Sequence, residues 1–368
     1  MTPPALLSPP ASLRELRPVV ARECLRLERT LLHYGASRGQ SLLLAVSGGA
    51  DSTALTIILA LLAPRQDWRP HVCTVHHGLR PEADAECAQV RHLCAALRLP
   101  HHVRHAPVRD MAREAGTGLE ETARKARYVL LEEVRQQTGC HWLLTGHQRE
   151  DLCEDQLMRL LRGTGWPALG GMSACDPERR LLRPFLHLSG KTLRQWLTDW
   201  GIPWSEDSSN NDPAFLRNRL RHSVLPLLEA ENPAYGESVS RLWQLAQLDA
   251  GYWESTLDSA LALTPWQQTE NGITLPRALL RAHPPAVRLR LYLRALRRLN
   301  RRYGGQARAE RLLALDDAWQ NGRGNTRFQF PGGLVAVLRS GAVTFGIESF
   351  AFEKGKTRGG STIPPGRK

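Results

Sequence analysis

Three stretches of this 368-residue chain carry residue types at spacings that could do chemistry. The first is Ser47-Gly48-Gly49-Ala50-Asp51-Ser52. Two adjacent glycines admit positive φ and let backbone N–H groups approach a ligand with no Cβ in the way. The serine hydroxyls add donors, and a helix beginning here turns its positive end to the same point. Such a loop suits an anion of the pyrophosphate kind. It holds no lysine and lacks the G-x-x-x-x-G-K-S/T spacing of a Walker P-loop. It holds Asp51 instead, and a carboxylate inside a phosphate cradle is unfavourable unless a metal cation bridges the two. The plain alternative is a glycine-containing strand-to-helix turn with no ligand.

The second stretch runs Gly146-His147-Gln148-Arg149-Glu150-Asp151-Leu152-Cys153-Glu154-Asp155. A helix starting near Glu150 sets Asp151, Glu154 and Asp155 on one face, an acidic pocket for an ammonium group or a metal. Any helix also prefers acids in its first turn. The third is the polar loop Glu206-Asp207-Ser208-Ser209-Asn210, followed by the basic run Arg217-Asn218-Arg219-Leu220-Arg221. It is either a solvated face or a hinge that reads both a small cation and RNA phosphates. His76-His77 follow a strand, and Arg162 ends a helix near the same mouth. Arg124 and Arg127 are expected on spacing alone to pair with Glu120 and Glu121. Ser189-Gly190-Lys191-Thr192 is a decoy for a Walker motif, because Phe185 stands where the earlier glycine belongs; Ser189 is expected to cap a helix through Trp200.

Positioning these groups requires a particular set of elements. Apolar runs at 42–46, 71–76, 101–105 and 141–145 alternate with helical patterns at 51–62, 82–97, 119–137 and 150–161. That alternation predicts βαβ units and an α/β, doubly wound parallel sheet. Ligands of such sheets sit at the carboxyl ends of the strands, where the strand order reverses. The division expected is a tail and helix over 1–40, a catalytic domain over 41–225 and a helical linker over 226–285. A C-terminal nucleic-acid-contacting domain over 286–350 and a disordered tail over 351–368 follow. In that last domain the run Arg288–Arg302 has an apolar stripe of Leu289, Leu293 and Leu296, with arginines elsewhere. It reads as a docked helix whose basic face meets an RNA backbone, or as a solvated face. Strands near 326–330, 334–338 and 342–347 complete a small α+β unit.

A net charge of +13 favours a polyanionic partner. No apolar run reaches bilayer length, so no membrane is expected, and the first ten residues read as a loose tail. The seven cysteines are odd in number and form no C-x-x-C. Reduced thiols in a cytoplasmic protein fit that pattern, without a disulfide framework or zinc ribbon.

The pattern S-G-G-x-D-S at Ser47–Ser52 resembles the PP-loop of ATP pyrophosphatases. The further motifs are His77-Gly78-Leu79-Arg80, Glu120 through Tyr128, Gly146-His147 and Arg162-Gly163-Thr164-Gly165, then Glu206 through Asn210 and Arg217-Asn218-Arg219. The ordered string is similar to the tRNA(Ile)-lysidine synthetase family of PP-loop enzymes. It covers 42–226 densely and continues faintly to 346 through Phe330-Pro331-Gly332-Gly333. The resemblance implies a PP-loop ATP pyrophosphatase-like fold with a smaller C-terminal helical and α+β domain, and the use of ATP and Mg2+. It implies that the wobble cytidine of tRNA(Ile) with a CAU anticodon attacks the ATP α-phosphate through its C2 oxygen. Free L-lysine then displaces AMP through its ε-amine, giving lysidine and changing decoding from AUG to AUA.

By the same resemblance Ser47, Gly48, Gly49, Ala50, Asp51 and Ser52 bind ATP, and Asp51 orients the metal. Asp51, Asp151 and Glu154 are the catalytic residues, and Asp151, Glu154 and Asp207 bind lysine. Arg162, Arg217 and Arg219 contact AMP or tRNA phosphates by the same resemblance, Arg297 and Arg301 are expected from the basic run 288–302 to meet the tRNA backbone, and a homodimer is admitted. The chain departs from the family pattern at Glu150, at Leu152-Cys153 and at Asp155. A PP-loop tRNA thiolase is the nearest enzyme rival, but those commonly carry catalytic C-x-x-C pairs. A basic RNA-binding protein with an inactive nucleotide fold is the rival of a different class, and it would not need Asp51, Asp151 and Glu154 at one sheet mouth.

Overall fold

The computed structural model describes residues 7–78, 82–206, 215–270, 272–300 and 307–347. The chain divides into two compact units, 1–158 with 171–243, and 159–170 with 244–368. Residues 226–243, expected in a linker, thus belong to the first unit.

The first unit is built on β1 (Ser41–Ala45), β2 (Arg69–His76), β3 (His101–His105), β4 (Trp142–Thr145), β5 (Cys175–Asp176) and β6 (Leu181–Leu182). Their order is β3-β2-β1-β4-β6-β5, and all pairs are parallel except β5 with β6. Leu42, Leu43 and Leu44 of β1 are wholly buried, as a central strand covered on both faces demands. The covering helices are α1 (Pro18–His33), α2 (Ala50–Gln66), α3 (Ala83–Leu97), α4 (Val108–Ala115), α5 (Leu119–Gln137), α6 (Arg149–Leu161) and α7 (Gly190–Asp199). Successive strand residues serve opposite layers. Leu44 and Leu144 pack with Ile57, Ile58 and Leu193 of α2 and α7, whereas Leu43, Leu143 and Leu181 pack with Leu131 and Val134 of α5.

The strand order reverses between β1 and β4, so the segments leaving their carboxyl ends diverge around one crevice. Those segments are Ser47–Ser52 and Gly146–Asp151. After α7 come α8 (Leu216–Arg219), a π turn over Leu220–Val224, α9 (Leu225–Glu231) and the long α10 (Tyr235–Leu263). The expected Ser189 cap is present, its Oγ accepting the Thr192 N–H at 3.1 Å.

The second unit holds an antiparallel sheet of β7 (Gln267–Thr269), β8 (Gly272–Leu275), β9 (Arg327–Phe330), β10 (Leu334–Arg339) and β11 (Ala342–Ile347), in the order β7-β8-β11-β10-β9. Pro331-Gly332-Gly333 forms the turn joining β9 to β10, with both glycines at positive φ. The helices are α11 (Arg277–Arg281), α12 (Pro285–Leu299) and α13 (Ala309–Gln320). The buried stripe of α12 differs from expectation. It runs through Val287, Arg288, Leu291, Tyr292, Ala295 and Leu296, leaving Leu289 and Leu293 half-buried. Arg288 can face inward because Asp316 of α13 takes both Nε and Nη2 at 2.7 Å, and Tyr292 donates its hydroxyl to the same carboxylate at 3.1 Å. A buried charge is tolerated when paired and hydrogen-bonded. No helix among the described residues is long and apolar enough to cross a membrane.

Candidate active site

The turn after β1 forms because Gly48 takes φ +90, a conformation that disfavours any other residue. The Ser52 hydroxyl accepts from the Ser47 N–H at 3.2 Å and donates to the Gly49 carbonyl at 3.0 Å, closing the loop on the first turn of α2. From outside, Pro203–Ser205 clamps it. The Ser205 N–H donates to the Gly48 carbonyl at 2.9 Å. Gln89 of α3 donates to the Pro203 carbonyl at 2.7 Å and accepts from the Ser205 hydroxyl at 2.9 Å.

The turn after β4 meets this loop directly. A Cβ built on Gly146 would lie 3.0 Å from the Asp51 carbonyl carbon and 3.1 Å from the Ser52 nitrogen. Glycine at 146 is what lets the two strand ends close on each other. Asp51 itself is partly buried. Its Oδ1 is shielded from solvent and has no hydrogen-bond partner among the described residues. Burial, and then the Asp151 charge, push its carboxyl up to about 7. A hard divalent cation beside Oδ1 would satisfy the orphaned oxygen and restore the ionised form. No cluster of three or more His, Cys, Asp or Glu that could hold a metal occurs among the described residues. Asp51 Oδ1 is the oxygen on this turn that would hold such an ion.

On the next turn, Gln148 caps α6. Its Oε1 accepts from the Glu150 N–H at 2.7 Å, while Asp151 Oδ2 accepts from the Gln148 N–H at 2.9 Å, a reciprocal capping arrangement. Glu150 leaves the crevice and accepts from the Gly190 N–H at 3.0 Å, at the start of α7. Asp151 and the wholly buried Glu154 share two arginines. Arg217 Nη2 donates to Asp151 Oδ1 at 2.6 Å and its Nε to Glu154 Oε2, while Arg221 Nε donates to Glu154 Oε1 at 2.6 Å. Burial opposes the Arg217 charge, but Asp151 and Glu154 outweigh it and hold the guanidinium above its ordinary value.

A basic flank faces this acidic pair. The His147 ring nitrogen Nδ1 lies 2.8 Å from the Thr145 hydroxyl. Burial, partly offset by Asp151, pushes His147 down to about 4, so it is neutral at pH 7. Its other charged neighbours are Arg183, Arg217 and Arg124. Arg124 lies over the Tyr128 ring, 5.6 Å from its centroid, and Arg127 donates to His77 Nε2 at 3.4 Å. These are contacts the helix spacing did not foretell.

The structure thus brings together Ser47 through Ser52 with Asp151, Glu154 and Arg217. Arg219 is exposed on α8. Arg162 and Arg297 are exposed in the second unit. Asp207 and Arg301 lie outside the described residues, as do Leu79 and Arg80. Sequence reasoning missed Arg183 and the clamp residue Gln89, and it named Arg221 only as part of a basic run, not as a partner of Glu154. Arg183 follows a two-residue strand, too short to show periodicity, and Gln89 sits on an ordinary amphipathic helix.

A family model described as a PP-loop domain matches residues 21–228. The tRNA(Ile)-lysidine synthase of Nitratidesulfovibrio vulgaris is 45% identical over 316 residues, covering 82% of this chain and 90% of that protein. The tRNA(Ile)-lysidine synthase of Thermus thermophilus is 35% identical over 302 residues, and there the match spans 56% of the relative's length. Among solved structures, the U34-tRNA thiolase NcsA from Methanococcus maripaludis matches with a TM-score of 0.52 at 13% identity, over 61% of this chain and 78% of that one. That likeness concerns the fold alone.

Proposed function

Since the chain belongs to the tRNA(Ile)-lysidine synthase family and carries its PP-loop domain, we propose that it joins lysine to the wobble cytidine of tRNA(Ile) through an adenylated tRNA intermediate. The observation that carries this reading is the approach of the β1 and β4 turns. Gly146 sits against the Asp51 backbone, so an activated phosphate and an acidic amine site would share one crevice.

Each step falls to groups already described. The N–H groups of Gly48 and Gly49 and the start of α2 receive the pyrophosphate end of ATP. Asp51 would hold Mg2+, which would neutralise the phosphates and favour departure of pyrophosphate. The C2 oxygen of the wobble cytidine then attacks the α-phosphorus; one P–O bond forms and the bond to pyrophosphate breaks. Lysine's ε-ammonium is drawn to Asp151 and Glu154 by charge-assisted hydrogen bonds. One of these carboxylates takes its proton before the amine attacks C2 and AMP leaves. Arg217 and Arg221 shift from the carboxylates to phosphate oxygens as substrates arrive. Exposed Arg297, with Arg219 and Arg162, contributes to tRNA phosphate binding.

The chain works in the cytoplasm on this reading, in keeping with seven free cysteines. A homodimer is the assembly to examine by sedimentation. The deciding experiment measures AMP formed from radiolabelled ATP with Mg2+ and CAU-anticodon tRNA(Ile), with lysine present or omitted. AMP release that needs tRNA, with lysine label entering RNA, is the expected outcome. Turnover without lysine incorporation would discard the amine substrate, and absence of any turnover would discard the enzyme.

A further inference from the structure

Arg183 stands out as a buried cation with no carboxylate in ion-pair contact among the described residues. The register of β6 on β4 sets Leu181 beside Leu143 and Leu182 beside Leu144. The residue after β6 is thereby carried to the level of Thr145, at the carboxyl edge that bears the anion loop. Leu181 faces the α5 layer together with Tyr128, and strand alternation turns Arg183 to that side as well. Only 9% of the residue is exposed. Nη1 donates to the Ser173 carbonyl at 2.7 Å, but the Nε–H is buried with no acceptor among the described residues. Asp176, whose charge Arg183 feels, is engaged by Arg179. The other nearby groups are cationic or neutral: Arg124, His147 and Tyr128. Taking a guanidinium out of water without a carboxylate is costly, and a donor left unmade adds to that cost. Both costs vanish when an anion with several acceptor oxygens enters.

We infer that Arg183 binds a phosphate group of the substrate, received between Arg183, Arg124 and His147. The inference rests on the functional reading above and adds a residue to it. The ligand is a phosphate mono- or diester. It is either the adenylyl phosphate or the tRNA phosphodiester flanking the reacting cytidine. A purely structural role predicts something else: the bonds from Nη1 to Ser173 and from the Arg183 N–H to the Ala174 carbonyl would matter for folding alone.

The test uses the full chain with Arg183→Met, which keeps the stem and removes the cation, and Arg183→Lys, which keeps the cation. Two equilibria are measured: AMP binding by calorimetry, and tRNA(Ile) binding across a salt series. If the adenylyl phosphate is the ligand, Arg183→Met weakens AMP by about tenfold and leaves the tRNA salt slope alone. If the tRNA diester is the ligand, AMP binding stays and the slope of log K against log salt shrinks by about 1 in the Met variant, with recovery in Arg183→Lys. Either result supports the assignment. Unchanged affinities and slope in a folded Met variant overturn it. Should that variant not fold, the wild-type Arg183 Nε–H resonance, assigned by its absence in Arg183→Lys, is followed on adding AMP or the anticodon stem-loop. A resonance that moves with neither probe overturns the inference. The functional reading fails separately, by wild-type protein releasing no AMP from ATP in the presence of tRNA(Ile).

Discussion

Asp51→Asn should make the protein more stable while abolishing its activity. The Asp51 carboxyl is pushed from an ordinary 3.8 to about 7, by burial first and the Asp151 charge second. At about 1.4 kcal/mol per pH unit, keeping it ionised without a cation costs at most about 4 kcal/mol. Partial exposure to solvent reduces that to about 2 kcal/mol. The sign follows from proton linkage. Below the unfolded value both states are protonated and the carboxyl costs nothing. As pH rises through 3.8 towards 7 the unfolded chain ionises while the folded one resists, and stability falls; above 7 the whole penalty is present. Asparagine carries no such penalty. In chelator, thermal melts at pH 8 should therefore favour Asp51→Asn by about 4–8 °C for a unit of this size, with a smaller gap at pH 5. Added Mg2+ should raise the wild-type melting point at pH 8 and leave the variant unmoved. A variant that melts at or below wild type at pH 8 would refute the strained carboxylate, and with it the argument for a cation at Oδ1.

Three further outcomes are expected. Gly146→Ala drives a Cβ to 3.0 Å from the Asp51 backbone; displacement of the α2 start should cost about 1–3 kcal/mol in urea unfolding and most of the tRNA-dependent AMP formation, so unimpaired turnover would contradict the close approach. Glu154→Gln removes the buried charge and sets an amide donor against one of the two arginines, Arg217 or Arg221, and should lower stability by about 3 kcal/mol, read by urea titration. Arg297→Glu on the exposed face of α12 should weaken tRNA binding and reduce its salt slope by about 1, and an unaltered slope would return that face to bulk solvent.

The sheet was legible because its signals are local. Leu42–Leu44 form a continuous apolar run, and a strand buried on both faces must look like that. The motif residues of the crevice were legible because each follows a strand end. What stayed hidden depends on contacts distant in sequence. Nothing in Glu154 and Arg217, 63 residues apart, announces that they share a hydrogen bond. Arg288 looked like one of many surface arginines on α12, and its burial rests on Asp316 of another helix and on the His283 carbonyl. Glu150 read only as the start of α6, yet it caps α7 from 40 residues away.

The pairing of Arg217 and Arg221 with Asp151 and Glu154 has a thermodynamic corollary. A free amine seeking those carboxylates competes with tethered guanidinium groups, whose effective concentration on a short linkage is of millimolar order. Its apparent affinity is the intrinsic affinity multiplied by the fraction of molecules in which the arginines have left. A phosphate-bearing ligand that draws the arginines away raises that fraction, and reciprocity requires the amine to favour the phosphate ligand by the same factor. Substrate order then follows from rivalry between cations for two carboxylates.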